Sequence, residues 1–182
     1  DPYRMMTSRS EYRLLLRQDN ADARLTPLGR QIGLISDERW KDFQKKMELT
    51  RQELDRVKKV NLSPTDALNQ LIVSHGTSPV TTGVNLADLI RRPQLGYEAL
   101  APLDENRPPL PADVTEQVEL SIKYEGYIKK QMAQAEELSR MERALLPEDI
   151  DYYQVPGIRL ETREKLDQIR PRSLGQASRI SG

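Results

Sequence analysis

The longest unbroken hydrophobic pattern in the chain runs from Asp113 to about Leu145 and predicts one long helix. Asp113 and Glu116 form a capping-box-like start, and Pro147 ends the pattern. Apolar residues surround the first half of this helix, which predicts that neighbouring helices cover it. In the second half they form one stripe opposite charged residues, so that half is expected at the edge of the fold.

Gly126 lies in the middle of the predicted long helix, where a glycine costs about 1 kcal/mol relative to alanine. Its position is explained either by close packing against another helix or by the close approach of a ligand or partner backbone.

Shorter helices are predicted on both sides of the long one. Their start signals are Thr26-Pro27, Ser36, Ser63-Pro64, Asn85 and Ser173. The helix after Ser36 covers about residues 37–59, and we expect the long helix to pack on it. Trp40 and Phe43 are interpreted as packing anchors of that helix.

These patterns predict an all-α fold, a multi-helix bundle around one long central helix with a small C-terminal helical-hairpin module. Three regions follow from the pattern. They are an arginine-rich entry segment with a first bundle (1–112), the long helix (113–146) and the C-terminal module (147–182).

Composition excludes several classes of protein and site. The 182 residues contain no cysteine, so disulfide scaffolds and thiolate metal sites are excluded, and His75 is the single histidine. No apolar run approaches a membrane span, no signal peptide opens the chain, and no phosphate-binding glycine loop or nucleophile–base pair is present. We expect a cytoplasmic fragment of a longer protein, with no catalytic residue, cofactor site or metal site of its own.

The formal net charge of zero hides an uneven distribution. Residues 1–30 carry six arginines against four acids, residues 113–149 carry nine acids against five bases, and residues 159–179 carry six bases against three acids. A protein with two basic ends and an acidic helix is suited to different partners on different faces.

An arginine row stands at the start of the chain. Arg9, Arg13 and Arg17 recur every four residues, which would place them on one helix face, and Arg24 follows in a second short segment. Such a row is typical of a strip that contacts phosphates. The alternative is a solvated face that pairs with the acidic long helix.

Several stretches also resemble a known family. They are PYRMMTSRSEYRLLLRQDNADARLT, NLADLIRRPQLGYEAL, QVELSIKYEGYIKKQ, LPEDIDYYQVPGI and SLGQASRISG. In this order they closely resemble the C-terminal helical part of the FAD-dependent tRNA wobble-uridine modification enzymes, the MnmG or glucose-inhibited division protein A family. That family continues beyond the last stretch into a further helix, so the module 147–182 is expected to be truncated.

The resemblance implies a parent enzyme that adds a carboxymethylaminomethyl or aminomethyl group to the wobble uridine of tRNA. It implies FAD bound outside this chain, NADH as reductant, and a homodimeric parent within a heterotetramer formed with the GTPase MnmE. No membrane association is implied.

For this C-terminal part the resemblance implies contact with tRNA and docking of the GTPase. The residues expected to bind tRNA are Arg9, Arg13, Arg17 and Arg24. The residues expected to bind the partner are Ile158, Leu166, Arg170, Arg172, Arg179 and Ile180, although the three arginines could equally serve a tRNA phosphate. The alternative for the whole chain is a pure protein-interaction helical domain with no direct nucleic-acid contact.

Overall fold

The computed structural model describes residues 12–180 of the chain. It divides into two compact units, Asp1–Ile128 and Lys129–Gly182, and the boundary falls inside the longest helix. The regions predicted from sequence treat this helix as a region of its own, whereas the structure places part of it in each unit.

Among residues 12–128, the regular structure of the first unit is helical apart from one short two-stranded sheet. Its helices are α1 (Ala21–Gln31), α2 (Asp37–Val57), α3 (Asp66–Ser74), α4 (Leu86–Ile90), a 3-10 helix (Glu98–Leu103) and the first part of α5 (Ala112–Arg143). The strands β1 (Asn61–Leu62) and β2 (Val84–Asn85) pair antiparallel. The predicted all-α class is confirmed, and α5 is the predicted long helix.

Side-chain caps begin three of these helices. Ser36 and Asn85 accept hydrogen bonds from the backbone N–H groups of Arg39 and Asp88, as their sequence positions predict. The cap of α3 is Thr65, two residues after the predicted start at Ser63.

The prediction for α1 is wrong at its start. The helix begins at Ala21 and runs through Pro27, whereas the sequence indicated a start at Thr26-Pro27. A proline inside a helix removes one backbone hydrogen bond. Packing on α2 outweighs that loss, since Thr26 is buried there and Lys46 Nζ lies 2.8 Å from Asp22 Oδ2.

The hydrophobic core of the first unit combines residues from α2, α3, α4, the segment 95–100 and α5. Its buried members include Val57, Leu68, Ile72, Leu86, Leu89, Ile90, Leu95, Leu100, Val118 and Ile122. The predicted covering of the first half of α5 holds for one side, where Val114, Val118 and Ile122 are fully buried; Leu120 and Tyr124 on the other side are half-buried. Trp40 and Phe43 stack on each other at 5.4 Å and are half-buried, outside this core.

Buried carboxylates stand at the edge of this core. Glu53 on α2 is 2% exposed and accepts hydrogen bonds from Arg56 Nη2 at 2.7 Å, Arg56 Nε at 2.8 Å and Tyr97 Oη at 2.7 Å. Arg56 also donates two bonds to Asp104, which is 6% exposed. Each buried charge therefore has a partner of opposite sign, without which its desolvation would strongly destabilise the fold.

The same network reaches α5 through Tyr97. The backbone N–H of Tyr97 donates to Glu119 Oε2 at 2.7 Å, and the guanidinium of Arg107 lies 4.5 Å from the centre of the Tyr97 ring. Burial and the bond to Glu53 raise the pKa of the Tyr97 phenol to about 12.

Ion pairs fix the register between α2 and α5. Lys46 lies 3.5 Å from Asp113, and Lys58 lies 3.1 Å from Glu125. The two pairs are twelve residues apart in both helices, so α2 and α5 run side by side in the same direction. Val57 at the end of α2 shares the hydrophobic core with Val118 and Ile122 of α5, and packing of the long helix along the rest of the helix after Ser36 stays a prediction.

Close helix packing does not explain Gly126. A Cβ atom built on it would meet nothing within 4 Å, and the residue is exposed. That interpretation is wrong for the described residues, and the approach of a partner backbone stays a prediction.

The second unit contains the end of α5 and a helical hairpin. Its other elements are a 3-10 helix (Tyr152–Gln154), α6 (Leu160–Ile169) and α7 (Leu174–Ser178). Ser173 caps α7 as predicted and also donates to Glu142 Oε2 at 3.0 Å. Glu142 lies so close to Gly175 that a Cβ there would be 2.6 Å from the Glu142 carboxyl carbon, which explains the glycine.

We expect Glu53→Gln to destabilise the chain by about 2–3 kcal/mol, because the buried amide replaces one carboxylate oxygen that accepts from Arg56 or Tyr97 with an NH₂ donor and loses the charge of the pair. The measurement is urea unfolding followed by circular dichroism. Glu48→Gln is the matched control on the same helix, since Glu48 also pairs with an arginine three residues later but in solvent. Equal effects of the two substitutions would contradict a structural role of the buried pair.

We expect Tyr97 to make stability depend on pH in the alkaline range. Its folded pKa is raised to about 12 from an ordinary value of about 10. Its contribution is therefore complete below pH of about 10 and is lost as pH rises through about 12, a change of about 2–3 kcal/mol. Unfolding of the wild type and of Tyr97→Phe at matched pH isolates this loss; parallel pH profiles would refute it.

Candidate nucleic-acid and partner interfaces

The arginines expected to bind tRNA do not form one row in the structure. Arg9 lies outside the described residues. Residues 12–15 form a turn, and helix α1 begins only at Ala21, so Arg13 and Arg17 do not share a helix face. The turn is closed by bonds from the Leu15 and Leu16 N–H groups to the Tyr12 carbonyl, and Tyr12 adopts a positive φ of 53°.

Arg13 is the exposed member of the set. It lies on the turn and makes no side-chain hydrogen bond or ion pair with another residue in the part of the chain that the structure describes.

Arg17 is held inside the protein by several contacts. Its guanidinium donates to both carboxylate oxygens of Asp19 at 2.8 Å and to the Leu14 carbonyl at 2.8 Å, and it stacks on the Tyr124 ring at 4.9 Å. The Asp19 bond raises the pKa of Arg17, and the same pair lowers the pKa of Asp19. The positive charge of Arg17 is locally neutralised, and its contact with α5 is made through an aromatic ring.

Arg24 on α1 makes hydrogen bonds to the segment that contains Arg17. Its Nε donates to Asn20 Oδ1 at 2.9 Å, and its Nη2 donates to the Arg17 carbonyl at 3.2 Å. Asn20 in turn donates to the Leu15 carbonyl at 2.9 Å. Arg17, Asn20 and Arg24 therefore form an entry lock that holds the turn carrying Arg13 against α1 and α5.

The second unit contains the expected partner-binding residues, and one of them is internal. Leu166 is 7% exposed, so the expectation that it anchors a partner requires a correction: it packs within the hairpin. Its position on the inner face of α6 follows from tertiary packing that the spacing alone does not show. Ile158 and Ile180 are half-buried.

The three arginines of the hairpin also differ. Arg170 ends α6 in a left-handed conformation and donates to the Ile150 carbonyl at 2.9 Å and to Asp167. Arg179 lies 2.5 Å from Glu142. Arg172 is exposed, and its side chain has no hydrogen bond or ion pair with another described residue.

A cleft of about 580 Å³ lies beside Arg172, and sequence reasoning did not find it. Its walls are segments 145–148 and 170–172, with Ile150 and Tyr152. Backbone bonds between the two segments shape it, including Leu146 N–H to the Arg172 carbonyl at 3.0 Å. Leu145 is 78% exposed at its edge. The only sequence signal was the apolar pair Leu145-Leu146 directly after the long helix.

The structure assembles no metal centre among residues 12–180. No group of three or more histidine or acidic side chains in that range is placed to hold a metal. His75 ends α3, and its Nδ1 lies 2.9 Å from the Leu71 carbonyl. No helix in the same range has the length and apolar character needed to cross a membrane.

Comparison with known proteins shows the family to which the chain belongs, which the geometry of the interfaces does not show. Residues 37–132 match the model of the tRNA modifying enzyme MnmG/GidA C-terminal helical domain, and residues 134–182 match that of its C-terminal helical bundle.

The chain is 54% identical over its whole length to the tRNA uridine 5-carboxymethylaminomethyl modification enzyme MnmG of Caldicellulosiruptor saccharolyticus and 50% identical to that of Lachnoclostridium phytofermentans. It spans 29% of the length of each of these relatives. The solved structure of Aquifex aeolicus GidA in its form II crystal is 36% identical, with a TM-score of 0.64, over 100% of this chain and 28% of that one. The chain belongs to the MnmG/GidA family of tRNA modifying enzymes, in the C-terminal helical region of that family.

Proposed function

We propose that this chain is the C-terminal tRNA-contacting and GTPase-docking region of an enzyme that adds a carboxymethylaminomethyl or aminomethyl group to the tRNA wobble uridine. The observation that carries the proposal is the 54% identity to a named tRNA uridine modification enzyme over all 182 residues. FAD, the NADH that reduces it and the reacting groups belong to the remaining part of the parent, which works in the cytoplasm.

Contact with tRNA is assigned to the turn that carries Arg13. The entry lock holds this turn in place, so little conformational freedom is lost when its guanidinium meets a phosphate. Arg17 and Arg24 support the turn from behind, because Nε, Nη1 and Nη2 of Arg17 and Nε and Nη2 of Arg24 already donate hydrogen bonds within the chain. Their expected role thus changes from direct contact to positioning.

Docking of the GTPase MnmE is assigned to the cleft of the second unit. Partner surfaces commonly combine an apolar centre with a charged rim, where the charge guides association and the apolar residues anchor it. Leu145, Ile150 and Tyr152 provide the apolar part of this cleft, and Arg172 provides an exposed cation whose side chain has no partner among residues 12–180. In the parent, two copies would present this surface within a heterotetramer.

We expect Arg13→Ala in the full-length enzyme to weaken tRNA binding and to reduce the slope of log affinity against log salt by about one unit, as for one lost phosphate contact. The measurement is a tRNA gel-shift titration at several salt concentrations. Arg39→Ala is the control, since Arg39 is exposed on α2 and has no side-chain partner among the described residues.

An unchanged salt slope for Arg13→Ala would instead favour a pure protein-interaction domain. Arg17→Ala is unsuitable for this test because it also removes the contacts to Asp19, Leu14 and Tyr124.

We expect Arg172→Glu to reduce co-purification of the GTPase while leaving tRNA affinity close to that of the wild type. Arg159→Glu is the control in the same hairpin, because Arg159 is exposed and does not line the cleft. If Arg172→Glu lowers tRNA affinity and GTPase binding is retained, the hairpin belongs to the nucleic-acid surface.

A further inference from the structure

Helix α1 presents an apolar face to solvent. Leu25 and Leu28 are each 56% exposed, and Ile32 and Leu34 are 73% and 76% exposed. The first three are spaced by three and four residues, so they lie on one side of the helix. A contiguous stripe of this kind, unlike single exposed residues, marks a surface that another element covers.

Contacts away from the stripe fix the direction of this face. Thr26 is buried, and Lys46 bonds to Asp22 at 2.8 Å. Beside the stripe, Gly29 packs so closely on Ile35 that a Cβ would lie 3.1 Å from the Ile35 side chain. The entry lock holds the beginning of the helix. Rotating α1 to bury its apolar stripe within the first unit would break these contacts, so the stripe is a permanent outer surface of this unit.

The position of α1 within the family indicates what covers the stripe. The matched C-terminal helical domain begins at residue 37, so α1 lies outside it, on the side toward the rest of the polypeptide. The chain spans 29% of its full-length relatives, and the matched domains are C-terminal. Most of the parent therefore precedes this chain, and α1 is the first described helix that it would reach.

We propose that the α1 stripe of Leu25, Leu28 and Ile32, together with Leu34 just after the helix, is a docking surface for an apolar face of the parent polypeptide that precedes this chain. α1 thereby joins the preceding part to the C-terminal helical domain, and the entry lock holds the turn with Arg13 beside that junction. This assignment goes beyond the proposed contact with tRNA and does not depend on it.

The test is cysteine accessibility in the full-length protein. Leu28→Cys is compared with Val73→Cys, because Val73 lies on α3 of the same unit and is 53% exposed. This chain has no cysteine of its own, so each introduced thiol is identified in a single peptide by mass spectrometry. Maleimide labelling of Leu28→Cys is expected to be at least about 10-fold slower than that of Val73→Cys. Equal labelling rates would overturn the proposal.

Photo-crosslinking identifies the occupant of the stripe. A p-benzoylphenylalanine placed at position 28 of the full-length protein is expected to crosslink to peptides that precede this chain. Crosslinks to this chain itself, within one copy or between two copies, would overturn the proposal. A tRNA gel shift on the same samples is read independently, so failure of the docking surface and failure of tRNA contact are distinguishable.

Discussion

The first unit depends on one buried carboxylate, that of Glu53. It lies at 2% exposure between α2 and the segment that leads to α5, and it is bonded to Arg56 and Tyr97. Asp104 also accepts a hydrogen bond from Arg56, and Glu119 accepts one from the backbone N–H of Tyr97. Four separate stretches of the chain meet at this network, so none can shift without leaving a buried polar group unpaired.

This network selects one arrangement of the helices around a core whose other contacts are between apolar side chains. Leucine and isoleucine side chains pack in many alternative arrangements at similar free energy, whereas a buried charge accepts few. The ion pairs of Lys46 with Asp113 and of Lys58 with Glu125 repeat the same register along α2 and α5. Hydrophobic burial drives association of the helices, and the polar groups select which neighbours and which register result.

Arginine has three different roles in this chain, and these roles organise the proposed function. Arg56 neutralises buried acids, and Arg17 with Arg24 holds the entry turn. Arg13 and Arg172 are exposed and without side-chain partners among residues 12–180. An arginine whose donors are already satisfied gains little from a phosphate or a partner carboxylate, so the proposed binding roles are given to the exposed arginines Arg13 and Arg172.

The sequence by itself determined the helical class, the long helix and the caps Ser36, Asn85 and Ser173, because these depend on periodicity and on neighbouring residues. The family followed from the resemblance of whole stretches of the sequence, not from periodicity. It predicted α1 five residues too late, since the ion pair of Asp22 with Lys46 is distant in sequence and outweighs the local signal at Pro27. Likewise only tertiary structure decided that Arg17 is internal, Leu166 buried and Arg13 exposed. Residues of the same type and similar spacing differ in burial because their spatial neighbours differ, and those neighbours come from distant parts of the chain.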